Sequence, residues 1–295
     1  MTTRGYLVVA NPDAGGTHEG IVADVRGRLE AAGGRVTLVE GDDAELDALL
    51  READGDCVVA VGGDGSIHRV ATRLHAVDRL DLDVGLVPLG TGNDLARGAG
   101  LPLDPLAAAE GLARWPARPV DLLVSNGRLV VNVVHLGLGA RAAETASRWK
   151  AGLGKLAYPL GAVVAGTWAS PWELRVTVDG RVIHDGTAVL VGIGNGRTIG
   201  GGTRIFPAAR LDDGLADVVV AAARYGRVGR AVFGHAMRAG RHGRLPWVRT
   251  ARGRHVQVEG EPVAGNADGE IWSPDRSWEI EVVPRVLRLR RPPGR

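Results

Sequence analysis

Two apolar runs, Val58-Val59-Ala60-Val61 and Leu86-Val87-Pro88-Leu89, each end in a Gly-rich turn that carries an aspartate: Gly62-Gly63-Asp64-Gly65-Ser66 and Gly90-Thr91-Gly92-Asn93-Asp94. Short apolar runs stopped by glycine read as buried strands. A helical pattern follows each turn, and strand, turn and helix in that order are the repeating unit of a parallel sheet. Glycine lets backbone N–H groups approach a phosphate, and the N-terminus of the next helix adds the positive end of its dipole. An aspartate at such a turn can hold the Mg²⁺ that accompanies a nucleotide. Two such loops on neighbouring strands would cradle a nucleotide polyphosphate, and the chemistry they point to is phosphoryl transfer. Taken singly, Asp64, Ser66 and Asn11 are also ordinary turn formers.

The strand and helix signals alternate through the first part. Strands are expected at residues 6–10, 36–39, 57–61 and 84–87, and helices at 19–32, 43–53 and 66–77. Asp104-Pro105 should start another helix that runs to about Trp115, with Asp at the N-cap and Pro at the first helical position. After Pro116 and Pro119 the pattern changes. Asn126-Gly127 separates strands at 121–125 and 129–134, and Asp179-Gly180 separates strands at 174–178 and 182–184; both dipeptides are strong hairpin signals. Further strands are expected at 187–193, 216–222, 255–259 and 278–283, with a helical stretch inserted at 141–169. The boundary falls near residue 118, giving an α/β domain over 1–118 and a mostly antiparallel β domain over 119–284. Residues 285–295 read as a basic, Pro-rich tail, exposed from Arg288 onward or returning to the first domain.

Composition removes several classes. The 295 residues are 45% apolar and 24% charged, as in a soluble globular protein. A net charge of +2 gives no case for a whole-protein nucleic-acid binder, and Cys57 is the single cysteine, so no intramolecular disulfide can form. The longest uncharged stretch, 156–172, is short for a membrane span and contains Pro159 and Pro171. No signal peptide is recognisable, so a cytoplasmic location is expected. No Walker motif is present. Gly137-Leu138-Gly139-Ala140-Arg141-Ala142 matches a dinucleotide fingerprint but lies in the antiparallel half. The histidines show no zinc-ligand spacing.

Asn11-Pro12-Asp13-Ala14-Gly15-Gly16, the loop from Gly62 to Ser66 and Gly90-Thr91-Gly92-Asn93-Asp94-Leu95-Ala96-Arg97 together resemble the three signatures of the diacylglycerol kinase catalytic domain. The close relatives of that domain are soluble bacterial lipid kinases and the sphingosine and ceramide kinases; NAD kinases are more distant. The second half continues the resemblance in order, through Gly154-Lys155-Leu156-Ala157-Tyr158, Gly194-Asn195-Gly196, Gly200-Gly201-Gly202, Asp212-Asp213-Gly214 and Asp268-Gly269-Glu270. It implies a nucleotide-binding parallel α/β domain, an antiparallel β-sandwich domain, and an active site in the cleft between them.

The resemblance implies the following roles. Asp64 would position Mg²⁺ between ATP and an acceptor hydroxyl, and Glu270 would be the general base. Asn11, Gly62, Gly63, Gly65, Ser66, Gly90, Thr91, Gly92 and Asn93 would contact ATP. A structural Mg²⁺ would take Asp213 directly, Asp94 and Asp121 through water, and the main-chain carbonyls of Arg210 and Leu215. By local reading alone, Asp213 and Asp268 begin Asp-Gly turns and Asp94 is a helix N-cap. Where the family usually has an acidic residue after the first Gly-rich loop, this chain has Arg69, a reversed charge close to the phosphates.

The expected activity is an ATP- and Mg²⁺-dependent transfer to a lipid hydroxyl at a membrane surface, with diacylglycerol first. Sphingoid-base, isoprenoid or glycosylated-lipid acceptors, and a nucleotide-binding regulator without turnover, are the alternatives. From Arg224 to Arg254 there are nine arginines and no acid, which reads as a solvated face or as peripheral contact with anionic lipid at the inner membrane face. Nucleic acid is not an expected partner, and a homodimer is left open.

Overall fold

The computed structural model describes residues 4–10, 17–39, 41–137, 171–223 and 226–293. The expected helical stretch at 141–169 and the Gly154 to Tyr158 segment lie outside these residues. The chain divides into two units, Met1–Leu122 with Pro284–Arg295, and Leu123–Val283.

The first unit is a parallel sheet covered by helices. Strands β1 (Gly5–Ala10), β2 (Arg35–Val39), β3 (Cys57–Gly62) and β4 (Asp83–Pro88) pair in the order β2-β1-β3-β4, all parallel. Every residue of β3 is buried, as expected for a central strand with both faces covered. Helices α1 (Thr17–Ala31) and α5 (Pro105–Leu112) cover one face, where Val25, Leu29, Ala109 and Leu112 meet Tyr6, Val8, Cys57, Val59 and Val61. The alternate residues Val58 and Ala60 turn the other way. On that side α3 (Asp64–Ala76) packs against β1 and β3 through Ile67, Val70, Ala71 and Leu74, with α2 (Asp43–Glu52) beside it. Asp104 caps α5 as expected, accepting from Ala107 N at 2.7 Å, but the helix stops at Leu112. A short helix, α4 (Asp94–Ala99), follows the second Gly-rich loop.

Residues 288–290 are not an exposed tail but return to the first unit. A long strand, numbered β13 below (Glu270–Arg290), ends by pairing in parallel with β4, Arg288 opposite Asp83 and Leu289 opposite Val84. Leu287 and Leu289 are fully buried, and Arg290 donates to the Asp83 carboxylate, to Leu112 O at 2.9 Å and to Trp115 O at 2.8 Å. Alternating leucines supply an apolar face, and a buried guanidinium is tolerated here because its donors meet a carboxylate and two carbonyls.

The second unit is antiparallel. The end of β5 (Ala117–Ser125) forms a hairpin with β6 (Arg128–Val130); β7 (Val133–Gly137), β8 (Trp172–Val178), β9 (Arg181–Gly194), β10 (Ala216–Ala222), β11 (Val248–Gly253), β12 (His255–Ala267) and β13 follow. β9 and β12 each pair with β7 along one stretch and with β8 along another, while β10 and β11 extend from β9. Two apolar clusters result. One contains the stacked rings of Trp272 and Trp278, and the other gathers Ile205, Phe206 and Val219 with Phe233 of α6 (Gly226–Arg238). The two hairpin dipeptides behave as expected. Asn126 and Gly127 have φ of +46° and +76°, and Asp179 and Gly180 +47° and +77°, the left-handed pairs of type I′ turns. The strand expected at 129–134 is in fact two, β6 and β7, and the strands expected at 182–184 and 187–193 are one, β9. No helix among the described residues is long and apolar enough to cross a membrane.

Candidate active site

The two Gly-rich loops leave the carboxyl ends of adjacent strands, with Gly62 opposite Pro88 and Leu89 N donating to Gly62 O at 2.8 Å. They touch through glycine backbones. A Cβ on Gly90 would stand 2.5 Å from the Gly63 Cα, and one on Gly63 would stand 3.0 Å from the Gly90 Cα. Asn93 holds the second loop closed from a left-handed conformation (φ +51°): its Oδ1 accepts from Gly90 N at 3.0 Å and its Nδ2 donates to Gly90 O at 2.7 Å. Asn93, not Asp94, sits at the N-cap of α4, and Asp94 is the first helical residue.

Asp64 opens α3 and also fastens α4. Its Oδ2 accepts from Asp94 N and its Oδ1 from Leu95 N, both at 3.0 Å, so one carboxylate serves two amides at a helix start. Beside it, Val9, Ala10, Gly63, Gly65, Ser66 and Arg69 line a cavity of about 340 Å³. Gly62 lies buried beneath, tight against Ser66, while Thr91 is exposed and Gly92 O accepts from Arg97 Nε at 3.1 Å. Asn11 lies outside the described residues. Arg69 lines this cavity, with its Nε donating to Asp43 Oδ1 at 2.7 Å and its Nη2 to Gly41 O at 3.2 Å.

The residues expected at a structural metal are engaged as follows. In the first unit Asp121 is fully buried and accepts from Arg285 N at 2.7 Å, holding a residue whose φ is +60°. Asp94 is also buried. In the second unit Asp213 Oδ1 accepts from Leu215 N at 3.2 Å, and its Oδ2 takes a charged hydrogen bond from Arg252 Nη2. Arg252 Nε reaches Asp217 Oδ2 at 3.1 Å, so one guanidinium joins two acids. Burial pushes the Asp217 carboxyl up, against the opposing pull of Arg252. Arg210 lies 3.7 Å from Asp212. Asp213 therefore already has a cation, a poor fit to direct ligation of Mg²⁺.

Glu270 is exposed, at the start of β13 directly after the Asp268-Gly269 turn. That turn is also type I′, with φ of +49° and +98° and Ala267 opposite Glu270. Its aspartate does more than turn the chain. Asp268 accepts from Val131 N at 2.6 Å, Asn132 N at 2.9 Å and Val133 N at 3.0 Å. These three bonds take the amides at the break between β6 and β7, which is the physical reason the expected single strand is interrupted. Asn132 O in turn accepts from Asn195 N and Gly196 N, and Asn195 Nδ2 donates to Val131 O at 3.1 Å. The Gly194-Asn195-Gly196 segment is thus fastened to the loop that carries Glu270. Nothing local in the sequence signals these partners, which lie more than a hundred residues from Asp268.

A parallel α/β unit bearing two apposed Gly-rich loops, followed by an antiparallel β unit, is the architecture of the diacylglycerol kinase-like fold, and the chain belongs to the YegS-like lipid kinase family. Residues 5–124 match the diacylglycerol kinase catalytic domain and residues 132–291 match the YegS C-terminal NAD kinase beta sandwich-like domain. A protein named "Probable lipid kinase YegS-like" from Pseudomonas aeruginosa (strain UCBPP-PA14) is 35% identical over 270 residues, covering 88% of this chain and 84% of that protein. One of the same name from Stenotrophomonas maltophilia (strain K279a) is 31% identical over 315 residues, covering 100% and 98%. The fold is shared with the crystal structure of a diacylglycerol kinase from Bacillus anthracis str. Sterne, at a TM-score of 0.80, 23% identity and 99% coverage of each chain.

Proposed function

We propose that this protein is a lipid kinase that transfers the γ-phosphoryl group of Mg²⁺·ATP to a lipid hydroxyl, with diacylglycerol as the acceptor and phosphatidic acid as the product. The observation that carries the reading is the cavity lined by Gly63, Gly65, Ser66 and Arg69 beside Asp64, at the carboxyl end of β3 and the start of α3. Glycines there leave room for phosphate oxygens near backbone N–H groups, and the helix dipole favours the anion. The names of the relatives supply the lipid.

In the proposed reaction the acceptor oxygen forms a bond to the γ-phosphorus as the bond to the β-bridging oxygen breaks, and ADP leaves. The hydroxyl proton passes to the Glu270 carboxylate, which is exposed and able to receive it. Asp64 suits a place beside the Mg²⁺ of the substrate complex, as a carboxylate at the start of α3 between the two glycines that line the cavity. The ion neutralises charge on the transferring group. Catalysis of this kind depends on positioning, so no phospho-enzyme is invoked.

The test is ADP release with Mg²⁺·ATP and micellar diacylglycerol, beside sphingosine, NAD and no-acceptor controls, for wild type and Glu270→Gln. Diacylglycerol-dependent turnover, lost in the variant while ATP binding is kept, is the expected result. Turnover with another acceptor alone would replace the substrate. ATP binding without turnover on any acceptor would favour a nucleotide-binding regulator.

A further inference from the structure

Arg69 lies one turn beyond Ser66 on α3, at the i+3 position, and both side chains border the same cavity. Its guanidinium is held in place from outside that cavity. Asp43 Oδ1 takes the Nε hydrogen at 2.7 Å, and Gly41 O takes one from Nη2 at 3.2 Å. Holding an arginine in one geometry costs side-chain entropy, and here that cost is met before any ligand arrives. Two bonds leave the remainder of the five N–H donors for another partner. The positive charge is also incompletely neutralised, because the Asp43 side chain is 53% exposed and hydrated. A pre-set, donor-rich residue thus lines a cavity whose other walls are Gly63, Gly65 and Ser66 at the first turn of α3 and Val9 and Ala10 at the end of β1. The arginine, the glycine backbone and the hydroxyl suit a phosphate chain and disfavour a cation.

We propose that Arg69 is a phosphate-binding residue of this cavity, its guanidinium hydrogen-bonded to the polyphosphate of the nucleotide. The inference rests on the kinase reading for the identity of the ligand. Arg69 would then be a nucleotide-affinity residue in its own right, and its role would scale with the number of phosphates.

The test measures equilibrium binding of adenosine, ADP and Mg²⁺·ATP to wild type, Arg69→Ala and Arg69→Lys, with circular dichroism to confirm folding. Arg69→Ala should weaken Mg²⁺·ATP roughly tenfold or more, a loss on the scale of one charge-assisted contact, and leave adenosine unchanged. Lysine should recover part of the loss, since it keeps the charge without the planar fork. If Arg69→Ala fails to fold, a weakened ATP affinity in Arg69→Lys carries the proposal. Unchanged ATP affinity in the folded variants would overturn it while leaving the kinase reading standing. No ATP binding by the wild type would overturn both. A soluble short-chain phosphatidic acid forms a further arm; if Arg69→Ala weakens that ligand and not ATP, the residue serves the lipid phosphate and the proposal fails.

Discussion

Replacing Asp64 with alanine removes the acceptor for two backbone amides that have little access to water. Asp94 is 5% exposed and Leu95 is fully buried, and each donates to an Asp64 oxygen at 3.0 Å. An unsatisfied buried amide costs about 1–3 kcal/mol. Two of them, less the desolvation no longer suffered by the carboxylate, give an expected loss of about 2–4 kcal/mol. The loss should be local, because α4 has only six residues and little hydrogen bonding of its own to fall back on. Asparagine is not a neutral control, since its one carbonyl oxygen can accept while its NH₂ group would face the second amide. The assay is hydrogen exchange at the amides of Asp94 and Leu95, together with urea unfolding of wild type, Asp64→Ala and Asp64→Asn. Protection at both amides should fall in Asp64→Ala, and at one of the two in Asp64→Asn. If protection at Leu95 is unchanged and the stability loss is below about 0.5 kcal/mol, the reasoning is refuted. The outcome bears on function directly. Lost turnover in Asp64→Ala would then reflect a displaced loop as much as a missing partner for Mg²⁺, and Glu270→Gln becomes the cleaner probe of the chemistry.

Four further outcomes are expected. Gly90→Ala should lower the melting temperature and ATP affinity together, because its Cβ would stand 2.5 Å from the Gly63 backbone; Gly65→Ala, with nothing of the protein within 4 Å, should leave the melting temperature unchanged in a thermal scan. Wild type should melt at the same temperature with Mg²⁺ or with chelator, whereas Arg252→Ala should become less stable and regain stability from millimolar Mg²⁺, because Asp213 and Asp217 would lose the guanidinium they share; chelator-sensitive melting of the wild type would place a metal at Asp213 after all. Burial pushes the His135 imidazole down to about 4, with its Nδ1 enclosed and unbonded among the described residues. The folded state therefore binds fewer protons than the unfolded chain below pH 6.5, so stability should fall as pH drops from 6.5 toward 4, by up to about 3 kcal/mol, and His135→Gln should flatten that part of the profile in urea titrations. Val228 and Val232, 78% and 43% exposed on the outer face of α6 within a stretch free of acids, should favour sedimentation with phosphatidylglycerol vesicles over phosphatidylcholine vesicles; Val228→Asp should reduce it, and equal binding to both lipids would remove the electrostatic argument.

What the residue types settle by themselves is local conformation. The apolar runs at 58–61 and 86–89 identify buried parallel strands because both faces of such strands are covered. Asn126-Gly127, Asp179-Gly180 and Asp268-Gly269 identify hairpins because their backbone must adopt positive φ, which these residue types tolerate. Asp104-Pro105 announces a helix start for the same kind of reason. Tertiary structure decided the partners. Asp64 meets α4 about thirty residues on, Arg69 meets Asp43 on another helix, Asp268 breaks a strand well over a hundred residues away, and Arg290 turns an apparent tail into a sheet strand by reaching Asp83. A turn or cap is set by the conformational limits of one or two residues, and so it is written in their identity. A carboxylate or guanidinium can bond to many groups equally well, and which one it meets depends on where the whole packed chain brings its backbone.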